Sequence, residues 1–105
     1  MTDDLSRAVD LLVRQVGHWE APRWKAPCAT GEGSRAQVVH RLVQRIADMA
    51  ADVEGRQRRP VPRLDSDLAL PDQLRVVAAD LSAAGAPPSV LTAAAGEVAA
   101  VRRVL

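Results

Sequence analysis

The stretch SRAQVVHRLVQRIADMAADVE, Ser34 to Glu54, decides the fold. Val39, Leu42, Val43, Ile46, Met49, Ala50 and Val53 fall on one stripe at the 3.6-residue period of an α-helix. Ser34 followed by Gln37 has the form of a capping box, and the breakers Thr30-Gly31-Glu32-Gly33 precede it. Gly55 closes the stretch. A helix over residues 34–54 is therefore expected, amphipathic and in need of a partner.

Working outward, three further stripes of the same period appear. Leu5, Val9, Leu12, Val13 and Val16 place a first helix at about residues 3–16, with Asp3 and Asp4 at its positive end and Gly17 after it. Pro71-Asp72 opens another at about 72–84, striped by Leu74, Val77, Ala78 and Leu81 and capped by Gly85. After Ala86-Pro87-Pro88 a last helix runs over about 89–104, burying Val90 or Leu91, Ala94, Val98, Val101 and Leu105. Gly96 interrupts it, an expected sign that another helix approaches closely there.

Helices this short are marginal alone in water, so four unburied stripes predict an all-α, four-helix bundle-like domain over residues 1–105. The short link before Ser89 predicts that the last two helices are antiparallel neighbours. Two long irregular loops remain, Gly17 to Gly33 and Gly55 to Leu70, and loops of that length often carry function.

Composition agrees. The 105 residues contain no Phe, no Tyr and a single Ile, so Leu, Val and Ala must build the core, with Trp19 and Trp24 as its only large side chains. Ala and Leu favour helices. The formal charge of +1 gives no whole-molecule field toward nucleic acid or anionic membrane. A single Cys28 forms no internal disulfide, the acidic start lacks the form of a signal peptide, and no apolar run is long enough to span a bilayer. A cytoplasmic protein, away from membranes, is expected.

Two segments hold the candidate functional residues. Residues 19–28 carry a short repeat, Trp19-Glu20-Ala21-Pro22-Arg23 and Trp24-Lys25-Ala26-Pro27-Cys28. Its prolines predict a stiff, extended strip. Trp19, Arg23 and Trp24 then form a docking surface, since Trp and Arg dominate the energetic centres of interfaces. The competing reading makes both indoles plugs at the end of a bundle whose Leu/Val/Ala core leaves gaps.

The second segment, Arg56-Gln57-Arg58-Arg59-Pro60-Val61-Pro62-Arg63, carries four positive charges and no negative one. Arg56, Arg58, Arg59 and Arg63, with Arg41 and Arg45 on the preceding helix, suit phosphates or an acidic protein surface. Asp48, Asp52 and Glu54 before the run, and Asp65, Asp67 and Asp72 after it, equally suit a self-neutralised surface.

Chemistry of other kinds is not expected. His18, Glu20, Cys28 and His40 lack the spacing of a metal site, and no sequence feature lowers the Cys28 pKa. Asp65-Ser66-Asp67 reads as a turn, and Thr30-Gly31-Glu32-Gly33-Ser34 lacks the strand and lysine of a phosphate loop. The last helix offers Thr92, Glu97 and mostly Ala and Val where a DNA-recognition helix needs polar side chains.

The expectation is a small helical interaction or regulatory module, without cofactor, metal or catalysis of its own. A protein partner or self-association through the Ala-rich last two helices would employ it. The alternative is an accessory nucleic-acid binder using the arginine-rich loop. A third possibility is a subunit of an enzyme whose chemistry lies on another chain.

Overall fold

The computed structural model describes residues 3–105; Met1 and Thr2 of the expected domain lie outside the described residues. Five helices form it: α1 (Asp4–Val16), α2 (Ala21–Lys25), α3 (Arg35–Glu54), α4 (Leu70–Ala83) and α5 (Pro88–Val104). A 3-10 turn, Asp67–Ala69, leads into α4. The described residues contain no strand, only an isolated bridge between Pro27 and Ser34. The fold is all-α.

Side chains cap the starts of α1 and α3, whereas α4 and α5 begin with a proline in the first turn and no side-chain cap. At α1 the Asp3 carboxylate accepts from the Ser6 amide at 2.7 Å. At α3 the capping box is complete: Ser34 Oγ accepts from the Gln37 amide, and Gln37 Oε1 accepts from the Ser34 amide. Gly55 follows α3 with φ +67°, the left-handed geometry that a side chain would strain. Gly17 serves differently. Its φ of −64° is ordinary, but a Cβ there would meet the Val13 carbonyl oxygen at 2.8 Å.

The stripes face one core. Leu5, Val9, Leu12 and Val16 come from α1, and Val39, Leu42, Val43 and Ile46 from α3. Leu74, Val77, Ala78 and Leu81 come from α4, and Ala94, Val98 and Val101 from α5. Each fully buried Leu, Ile or Val contributes roughly 1.5–3 kcal/mol of transfer free energy.

Packing order differs from expectation. α4 packs chiefly on α3, and α5 chiefly on α1, with lesser contacts of α1 with α4 and α3 with α5. The last two helices are thus set diagonally across the core and are not antiparallel neighbours. The link at Pro87 permits the difference. Its extended ψ of 154°, after Gly85 at φ +75°, redirects the chain before α5 begins. Gly96 also departs from expectation: it is exposed, and a Cβ there would meet nothing within 4 Å. Among the described residues no helix approaches it.

No helix among the described residues is long and apolar enough to cross a membrane.

Candidate functional site: a stapled segment beside an apolar trough

The first irregular link is neither extended nor a free strip. Residues 21–25 form α2, with Pro22 in its first turn, where the missing proline N–H costs nothing. Pro27 behaves as expected, holding Ala26 extended (ψ 151°) and ending the helix. This turn of helix carries Trp24 inward to full burial, and Trp19 retains only 4% exposure. The two rings meet edge-on with centroids 5.2 Å apart. Trp19 and Trp24 are core residues in place of docking anchors, because a core without Phe or Tyr needs their volume.

Arg23 stays at the surface. Its guanidinium carbon lies 4.9 Å from the Trp19 ring centroid, and that of Arg35 lies 5.2 Å from the same centroid.

Cys28 follows α2 and is buried. Its thiol pKa is lowered, first by the Thr30 hydroxyl 3.1 Å away and further by the backbone amides of Glu32, Thr30 and Gly31, against the opposing effect of burial. No spacing of residues announces this, since the donors arise from the turn through Gly31 (φ +73°). Among the described residues no three His, Cys, Asp or Glu side chains group as metal ligands.

The arginine–proline segment is irregular but held in place. Gln44 Oε1 accepts from the Val61 amide at 2.7 Å, and Gln44 Nε2 donates to the Arg59 carbonyl at 3.0 Å. His40 Nε2 lies 2.9 Å from the Val61 carbonyl oxygen. From the other side, Gln73 Nε2 donates to the Pro62 carbonyl at 3.0 Å. His40 and Gln44, four residues apart on α3, thus staple the segment to that helix, and Gln73 ties it to α4. That i, i+4 pair of polar residues on the flank of an apolar stripe was the available signal for this arrangement.

Its charges are largely matched. Arg58 forms a two-point contact with Asp52, at 3.0 and 2.7 Å. That contact lowers the Asp52 pKa, chiefly through the hydrogen bonds. Arg56 lies 3.4 Å from Glu54, and Arg63 is 2.8 Å from Asp67. Arg59 makes no ion pair among the described residues, and it lines a groove with Arg56, Pro60 and Asp80. On α3, Arg41 donates to the Glu32 carbonyl, and Arg45 Nε lies 3.1 Å from Glu97 without hydrogen-bond alignment. Of the seven expected site residues, Arg56, Arg58, Arg59 and Arg63 share one surface segment, while Arg23 sits with the buried Trp19 and Trp24 at α2.

A feature missed in the sequence lies beside the staple. Val61, Leu64, Ala69, Gln73, Val76 and Val77 line a trough of about 370 Å³, with Asp72 on its rim. Leu64 is 47% exposed and Val76 is 60% exposed. Val76 escaped notice because it lies off the α4 stripe, and Leu64 because it stands in an irregular stretch.

No protein-family model matches this chain, and no curated protein or solved structure is significantly similar to it.

Proposed function

We propose that this domain is a small cytoplasmic interaction module that binds a protein partner and performs no catalysis of its own. One observation carries the reading. Of the four large hydrophobic side chains exposed among the described residues, Leu64, Leu68 and Val76 fall within one short stretch, and two of them line one trough. A contiguous apolar patch is a mark of an interaction site, whereas isolated exposed Leu or Val is ordinary.

The shape favours an amphipathic helix as the partner's contribution. One wall is α4, which presents Val76 and Gln73 a turn apart, and the other is the stapled segment with Val61 and Leu64. A helix laid along such a trough buries aliphatic residues at i, i+3 and i+4 spacing. The matched charges of Arg56, Arg58 and Arg63 speak for a solvated rim more than for a phosphate-binding strip.

The test compares capture from native cytosol by the tagged protein and by its Val76→Glu variant, each washed at high salt. A stoichiometric protein retained by the first and lost by the second supports the trough, provided Arg58→Ala retains it. Identical proteins on both baits would refute the trough as the docking site. Nucleic acid released by salt, and lost with an Arg58→Ala/Arg59→Ala double variant, would establish the arginine loop instead.

A further inference from the structure

We infer that Arg23 and Arg35, both packed against the Trp19 ring, form an oxyanion site that receives a carboxylate or phosphate group. The inference stands independently of the trough.

The two arginines come from different elements, Arg23 from α2 and Arg35 from the first turn of α3. Both guanidiniums lie over the same indole, at 4.9 and 5.2 Å from its centroid. Arg35 Nη1 also donates to the Arg23 carbonyl oxygen at 3.2 Å, which fixes the second fork against the first residue. Two like charges beside one ring repel, and the indole's π-electrons offset only part of that cost.

Neither guanidinium has an ion-pair partner among the described residues. This contrasts with Arg56, Arg58 and Arg63, which all meet carboxylates. Arg35 Nε is buried and donates to no acceptor. An arginine carries five N–H donors in a planar fork, so the pair holds far more donors than the one carbonyl it serves.

The approach is open on the Arg23 side, and Arg35 does not line it. His18, Trp19, Glu20, Pro22 and Arg23 line an accessible hollow of about 330 Å³, ample for a carboxylate or phosphate group. Glu20 is the one carboxylate on this lip, and it makes no ion pair with either arginine. Lys25, exposed on α2, adds a further positive charge to the same element. An anion seated against both forks would relieve their repulsion and accept charge-assisted hydrogen bonds from planar donors.

The protein reports on this site itself, since Trp19 and Trp24 are its only aromatic fluorophores. The experiment titrates the full chain at low ionic strength with pyrophosphate, and separately with a hexaglutamate peptide, following tryptophan emission. A saturable change is expected, weakened roughly tenfold or more in Arg23→Gln and in Arg35→Gln, and reduced by added salt. Arg23→Lys and Arg35→Lys keep a cation over the indole but lose the fork, and are expected to bind weakly while melting like the parent. Saturation by pyrophosphate alone identifies a phosphate site; saturation by the peptide identifies acidic protein side chains as the source. No saturable change with either probe, or binding unaltered in the four variants, would overturn the inference.

Discussion

Gln44 on α3 and Val61 in the arginine–proline segment are joined by a 2.7 Å hydrogen bond from the Val61 amide to the Gln44 side-chain oxygen. The same side chain donates to the Arg59 carbonyl, so one glutamine substitutes for the backbone ladder that an irregular segment lacks.

Replacing Gln44 by Ala strands the part-buried Val61 amide. A destabilisation of about 1–3 kcal/mol is expected, read as a lowered urea midpoint with unchanged m-value. Amide exchange at Val61 should accelerate more than exchange in α1. Equal acceleration in both places would mean that the staple contributes only to global stability.

The indoles make a second prediction. Trp24→Ala empties the largest fully buried side chain and should cost about 3–5 kcal/mol in thermal or chemical unfolding. Trp24→Phe should cost clearly less, because it keeps most of the ring volume and removes a buried indole N–H that has no acceptor. Parent emission should be blue-shifted and resistant to quenchers. Red-shifted, readily quenched emission would contradict the burial of both rings.

Gly96→Ala is expected to stabilise the domain by about 0.4–1 kcal/mol, since the added methyl enters open space within a helix. A loss of stability that depends on protein concentration would instead reveal a second copy packed against α5.

Val76→Glu and Leu64→Glu should leave the melting midpoint almost unmoved, within about 0.5 kcal/mol, as surface changes do. Such a pair separates docking from folding in the capture experiment. A large drop in midpoint would place these side chains in the core.

Cys28 gives a pH dependence whose sign follows from its surroundings. Folding lowers the thiol pKa below the ordinary 9.0, so the folded state favours the thiolate. The resulting stabilisation is fully present above the unfolded thiol's pKa and disappears as pH falls through the lowered folded value. The stability difference between the parent and Cys28→Ala should therefore grow in the parent's favour from neutral toward alkaline pH. Thr30→Val should shrink that growth, because the Thr30 hydroxyl is the largest cause of the shift. A difference independent of pH would show that the thiol titrates alike in both states.

The helices were legible because their stripes and caps are local. Ser34 and Gln37 announce the start of α3 within four residues, and Asp3 does the same for α1. Tertiary choices were not. α2 forms against the expectation drawn from Pro22 because burying Trp24 outweighs the preference of Ala21 for extended geometry. The diagonal placement of α4 and α5 depends on which stripe fits which, a matter of volumes that periodicity does not encode. The candidate site was half visible. The arginines stood out by charge, whereas the trough depends on His40, Gln44 and Gln73 holding a distant segment; the i, i+4 spacing of His40 and Gln44 marks a polar flank but does not name the segment it holds.

The pairing of α1 with α5 has a kinetic side. Leu5, Leu12 and Val16 are synthesised before the other four helices, yet the helix that covers them is the last of the five to be synthesised. Until residues 88–104 arrive, the apolar face of α1 has only its lesser contacts with α4 for shelter. Long-range closure of this sort slows folding relative to a bundle whose neighbours are consecutive, and it exposes sticky surface in the interval. A nascent chain halted in the link at residues 84–87 would thus be a substrate for chaperones rather than a three-quarters-built domain. Supplied with α5 as a separate peptide, the same truncated chain has the missing half of its clasp and should recover native helicity.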